Sequence, residues 1–174
     1  MSLIVLIGVT GSGKTTVGRL LAQRYHLPLR ETDDAVEERL GASMRTLVVG
    51  RDPQLAITAR EEAERLLRLD EGIVTLGASR PLDSATASAI HDARTRGAVV
   101  VELSADLSAV SRRENLGVPR SVGLGAPRAV LTQLMRQARV AYEAVADTTV
   151  DTSVLTPQEV ADEVARACKL TPDY

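Results

Sequence analysis

Residues 3–22 read LIVLIGVTGSGKTTVGRLLA, and one lysine in this stretch decides the fold. The chain has two lysines, Lys14 and Lys169, and arginine carries almost all of its positive charge. Leu3 to Ile7 is an unbroken aliphatic run followed by glycine, the pattern of a strand buried on both faces. From Lys14 to Tyr25 the apolar positions Val17, Leu20 and Leu21 recur at helical spacing. Between strand and helix, Gly8, Gly13, Lys14 and Thr15 satisfy G-x-x-x-x-G-K-[ST]. Gly11 and Gly13 let backbone N–H groups turn inward, where a β-carbon would obstruct the curl around a phosphate. The first-turn N–H groups have no intrahelical partner, so together with the helix dipole they favour an anion there. Lys14 is then the point charge that reaches the β- and γ-phosphates, and the Thr15 hydroxyl is offered to Mg²⁺. The expected nucleotide contacts are Gly11, Ser12, Gly13, Lys14, Thr15 and Thr16, with a nucleoside triphosphate and Mg²⁺ as the implied ligands.

The rest of the chain alternates in the same way. LPLRETD is short and extended, with Pro28 stopping the preceding helix and Thr32 placed to cap the next. DDAVEERL and Pro53 to Leu69 read as helices. EGIVTLG repeats strand-then-glycine, Ser84 to Arg96 returns to helix, and GAVVVELS is a β-branched run suited to a central strand. Asp106 to Glu114 and Pro127 to Ala146 are helical on either side of the irregular NLGVPRSVGLGAP. DTTVDTS is a short strand, and Thr156 caps a last helix with Pro157 at its first position. Strands alternating with helices imply an α/β fold: a parallel sheet in three layers.

Composition sets the outer limits. A chain of 174 residues, 44% hydrophobic and 25% charged, fits a single domain, residues 1–174. A net charge of −2 and the absence of Phe and Trp give no basic surface or stacking platform, so no nucleic acid is expected. LIVLIG is too short to span a membrane and lacks the flanks of a signal peptide, so a cytoplasmic location and no membrane partner are expected. A single cysteine, Cys168, excludes an internal disulfide, and no Cys/His cluster suggests zinc.

LIGVTGSGKTTVGRLLA followed by LRETDDAVEERLGASM resembles the opening of shikimate kinases. The resemblance continues through GIVTLGAS, GAVVVELSAD, RRENLGVPR, AYEAVADTTVDTS and PQEV, nearly the whole chain. It implies a nucleoside-monophosphate-kinase-like fold with five parallel strands, a mobile lid near 115–126 and an acceptor-binding part near 32–70. The implied reaction moves the γ-phosphoryl of ATP to a hydroxyl of a small acceptor, with the protein as a monomer. Carried over residue by residue, Thr75 joins Thr15 and Glu31 near Mg²⁺, with Glu31 standing where the family has aspartate. Arg113 packs against adenine, Pro157 lines its pocket, and Arg120 closes over the phosphates from the lid. Asp33 binds the acceptor hydroxyl; Gly77 and Ala78 form part of the acceptor wall. The opening also resembles that of gluconate kinases, whose later His- and Trp-rich motifs are missing here.

The acceptor half departs from the family. The carboxylate-gripping arginine ahead of the long helix is replaced at Ala56-Ile57, with Arg60 nearby. The wall triplet Gly-Gly-Gly is Gly77-Ala78-Ser79. A second arginine, four residues before a tyrosine, is replaced by Ala138 before Tyr142, with Arg139 one place on. One residue along a helix turns a side chain by about 100°. Loss of two charge-assisted grips would weaken an acid by about a thousandfold. The sequence therefore predicts a neutral polyol or cyclitol as acceptor. Two other readings are a genuine shikimate kinase that uses the displaced Arg60 and Arg139, and a nucleotide-binding sensor that has lost transfer.

Overall fold

Leu3, Val5 and Ile7 enter one apolar core while Ile4 and Leu6 enter another, so strand β1 (Leu3–Ile7) is buried from both sides. The computed structural model describes residues 2–114 and 128–171. Around β1 stand β2 (Leu29–Glu31), β3 (Gly72–Thr75), β4 (Val99–Ser104) and β5 (Thr148–Asp151), all parallel, in the order β2-β3-β1-β4-β5. Helix α1 (Lys14–Tyr25) supplies Val17, Leu21 and Tyr25 to one face of the sheet, and α8 (Pro157–Ala167) supplies Val160, Ala161 and Val164. The other face is covered by α4 (Leu55–Leu67), α5 (Ser84–Thr95) and α7 (Arg128–Val145), through Leu66, Ile90 and Tyr142 among others. This is the three-layer α/β architecture expected from the alternation. Each such Leu, Ile or Val contributes about 1.5–3 kcal/mol by leaving water.

A third, smaller cluster lies apart from the sheet. Val36 of α2 (Thr32–Leu40), Met44 and Leu47 of α3 (Met44–Val49) and Ala59 of α4 pack together. The patterning did not single out α3; Ser43 starts it by accepting a hydrogen bond from Thr46 N. The run read as one helix from Pro53 begins at Leu55, and a 3-10 turn, Arg80–Leu82, precedes α5. Helix α6 (Leu107–Glu114) leads toward the expected lid, 115–126, which with Arg120 lies outside the described residues.

Helix ends explain where the site forms. Helix α8 opens with a capping box, Thr156 and Glu159 bonding each other's backbone, and Pro157 at its first position. Helix α1 opens on Gly13, φ 99°, which has no side chain to cap it, so its first-turn N–H groups remain available to a ligand. Because every strand is parallel, the loops after β1, β2 and β3 leave the same edge of the sheet. Leu6 and Glu31 both stand level with Thr75 there. Ligands of open α/β sheets bind outside such carboxyl ends.

Candidate active site

The loop between β1 and α1 carries Gly11 at φ 78° and Gly13 at φ 99°, left-handed conformations that glycine adopts without strain. Ser12 is buried, and its Oγ is the one buried side-chain polar atom among the described residues without a hydrogen-bond partner. Lys14 folds back over the loop, its Nζ donating to Gly8 O (2.8 Å) and Val9 O (3.1 Å). Loss of surrounding water lowers its pKa to about 8, against the pull of the Asp33 and Glu31 carboxylates, which favour the ammonium. An unsatisfied hydroxyl, open helix N–H groups and a desolvated cation around one loop suit a polyphosphate. Thr16 is exposed on the first turn of α1, next to this loop.

Beside the cradle, Thr15 Oγ1 donates to Glu31 Oε2 at 2.6 Å, and Thr75 Oγ1 donates to the same oxygen at 3.4 Å. Arg19 Nη2 approaches Glu31 Oε1 at 3.6 Å. The three residues expected near Mg²⁺ are thus together, with Glu31 reaching Thr15 through its longer side chain. Two hydroxyls and a carboxylate are hard oxygen donors, a set that fits magnesium. No group of three or more His, Cys, Asp or Glu side chains that could hold a metal occurs among the described residues. Magnesium would therefore take the rest of its shell from water and from the phosphates of a bound nucleotide.

Arg113 of α6 reaches across to the same loop. Its Nη1 donates to Gly11 O (3.2 Å) and Thr152 Oγ1 (3.0 Å), and its Nη2 donates to Thr152 O. Thr152 lies in the segment that runs from β5 to Pro157, so Arg113 ties that segment to the phosphate loop.

Two hydrogen bonds fasten the segment that follows β3. Thr32 does not cap α2; Glu31 holds that position, without a side-chain bond, and Thr32 is the first helical residue. Its Oγ1 instead accepts a hydrogen bond from Gly77 N at 2.8 Å. The local rule found a capping residue, but the partner is 45 positions away. Asp33 follows in the same turn, and its Oδ1 lies 2.7 Å from where a β-carbon on Gly77 would stand, so a larger residue there would push the carboxylate aside. Tyr142 of α7 donates from its buried hydroxyl to Ala78 O at 2.7 Å, fixing the wall after β3.

The two displaced arginines are not brought to Asp33 as free cations. Arg60 is clamped by Asp83: Nε approaches both carboxylate oxygens (3.2 and 3.1 Å) and Nη2 donates to Oδ2 at 2.7 Å. Asp83 also caps α5 through Thr86 N, and its carboxyl is held down to about 2, first by the Arg60 hydrogen bonds. Ala138 faces the core, and Arg139 projects outward to pair with Glu143 at 2.8 Å. Arg139 faces a cleft of about 520 Å³ whose lining includes Glu102, Asp151 and Arg136 but neither Asp33 nor Gly77. Arg139 stands one step along α7 from the buried Ala138, a turn of about 100°. The cation beside Asp33 that the sequence reading passed over is Arg80, half-buried at the start of the 3-10 turn.

A family model described as shikimate kinase matches residues 10–169. A shikimate kinase of Thermobifida fusca is 37% identical, over 94% of this chain and 93% of its own length. One from Streptomyces coelicolor is 34% identical, over 97% and 96%. Among solved structures, shikimate kinase from Acinetobacter baumannii in complex with shikimate superposes with a TM-score of 0.78 at 22% identity, covering 98% of this chain and 96% of that one. The Bacteroides thetaiotaomicron enzyme gives 0.81 at 17% identity, over 97% and 99%. These last two speak for the fold alone. With the phosphate loop, the parallel sheet and a family match over most of its length, the chain belongs to the shikimate kinase family and is an ATP-dependent phosphotransferase that acts on a hydroxyl group.

Proposed function

We propose that the protein phosphorylates shikimate. The observation that carries this reading is the convergence of Lys14, Glu31 and Asp33 at one edge of the sheet, close enough for both carboxylates to act on the lysine. The donor site, the metal-binding oxygens and the acceptor carboxylate are thereby neighbours. The relatives' names and the shikimate held in the Acinetobacter baumannii structure support the choice of acceptor.

In this reading Gly11 to Thr16 cradle the β- and γ-phosphates, Lys14 turns from the loop carbonyls to them, and Ser12 gains the partner it lacks. Arg113 and Pro157 border the adenine. Thr15 Oγ1 would ligate magnesium, with Glu31 and Thr75 behind it, and the ion would offset charge on the phosphate oxygens. Asp33 orients the acceptor hydroxyl and accepts its proton. The acceptor oxygen bonds the γ-phosphorus as the bond from that phosphorus to the β–γ bridging oxygen breaks, and ADP departs with the electron pair. Arg120, carried on the segment 115–126, would stabilise charge on the phosphoryl group in flight. The cluster of α2, α3 and α4, within 32–70, forms the acceptor-binding part.

The neutral-acceptor expectation rests on two absent cations, at Ile57 and Ala138. The named relatives give it no support, and Arg80 supplies a cation that the count omitted. A nucleotide sensor without transfer chemistry needs Lys14 and Thr15 but gains nothing from Asp33 held beside them. The test is product identification: Mg-ATP and shikimate incubated with the protein should yield ADP and a phosphate monoester of shikimate by mass spectrometry and ³¹P NMR. ADP without a phosphorylated ring would reject the proposal.

A further inference from the structure

Arg80 follows the wall segment Gly77-Ala78-Ser79 directly. Its Cγ lies 3.7 Å from the point over Gly77 that Asp33 Oδ1 approaches to 2.7 Å, so the two side chains meet over the same glycine. The guanidinium donates from Nη2 to Ser79 Oγ at 3.2 Å. Two carboxylates act on its charge, Asp83 and then Asp33, while Arg60 opposes it. Asp83 is already committed, since both its oxygens accept from Arg60 and Oδ1 also accepts from Thr86 N and Oγ1. Burial works against the charge of Arg80, lowering its pKa, although a guanidinium keeps its proton in a protein. A cation partly stripped of water, whose strongest carboxylate neighbour is held by another arginine, is ready to receive an anion.

We infer that Arg80 binds the carboxylate of the acceptor, in place of the two cations missing at Ile57 and Ala138. The inference rests on the reading of shikimate as acceptor and assigns its acid group a partner. Asp33 takes the hydroxyl end of the ring and Arg80 the acid end, both side chains lying against Gly77. The guanidinium fork matches a carboxylate with two parallel hydrogen bonds, and its orientation is set by the loop that Tyr142 and Thr32 fasten.

The test compares wild type with Arg80→Ala, Arg80→Gln and Arg80→Lys, using shikimate and its uncharged methyl ester as acceptors. R80A and R80Q should raise KM for shikimate by roughly tenfold to a hundredfold, leave KM for ATP unchanged and erase the preference for the acid over the ester. R80K should restore part of that preference. R80Q keeps much of the side-chain stem, so the charge is still tested where the alanine variant fails to fold. A wild type that phosphorylates shikimate while R80Q discriminates acid from ester equally well would overturn the role of Arg80 alone. A wild type that neither binds nor phosphorylates shikimate would overturn the acceptor assignment and this role together.

Discussion

Thr15 Oγ1 and Glu31 Oε2 stand 2.6 Å apart, joining the end of the phosphate loop to the end of β2. The contact holds the Thr15 hydroxyl beside a buried carboxylate before any metal arrives. Glu31→Gln keeps the shape and removes the charge. The magnesium concentration for half-maximal turnover should rise by about tenfold, with little change in KM for the acceptor. Activity against free magnesium at fixed ATP measures this, and an unchanged titration would show that Glu31 stands aside from the metal.

Lys14 gives a pH signature. Its pKa in the nucleotide-free protein is lowered to about 8 from the ordinary 10.5, chiefly by loss of water. Between these values the unfolded chain holds the proton and the folded one does not. The cost to folding is therefore full below about pH 8 and is relieved as pH rises toward 10.5. A triphosphate placed against Nζ favours the ammonium, so binding should take up protons just above pH 8 and none near pH 7. Calorimetry of an ATP analogue in buffers of different ionisation enthalpy reads this directly. Equal heats after buffer correction at both pH values would contradict it.

Tyr142→Phe removes the hydroxyl bonded to Ala78 O and leaves that carbonyl without its partner. It should cost about 1 kcal/mol of stability, or about 2–4 °C in Tm. KM for the acceptor should rise while KM for ATP stays fixed. A variant with lower Tm and an unaltered acceptor KM would confine Tyr142 to packing.

Arg139 and Arg113 separate the two half-sites. Arg139 is exposed and paired with Glu143, so Arg139→Ala should leave KM for shikimate within about twofold of wild type. Arg113 bonds Gly11 and Thr152, so Arg113→Ala should raise KM for ATP by roughly tenfold and spare the acceptor. Steady-state kinetics with each substrate varied in turn would show the split.

What was legible in the sequence was local. Gly8, Gly13, Lys14 and Thr15 are neighbours in the chain, and the aliphatic runs name their own strands, so fold and nucleotide cradle followed from spacing. Thr32 was misread as a cap because its hydrogen bond goes to Gly77, across the site from α2. Helix α3 has only six residues, too few for a periodic signal, and was missed. Arg139 was legibly out of register by helix geometry alone. Arg80 was not legible because its meaning depends on Asp83 being occupied by Arg60, a relationship that appears only once α4 and α5 are packed together.

The central claim is that a hydroxyl of shikimate receives the phosphoryl group at Asp33. The measurement that reaches it most directly is kcat/KM for shikimate with saturating Mg-ATP, beside a panel of neutral cyclitols and the Asp33→Asn variant. The account predicts at least about 10⁴ M⁻¹s⁻¹ for shikimate, within the ordinary range for enzymes, and a loss of at least about a hundredfold in D33N. ADP release that shikimate does not accelerate, or a neutral cyclitol turned over faster than shikimate, would contradict it.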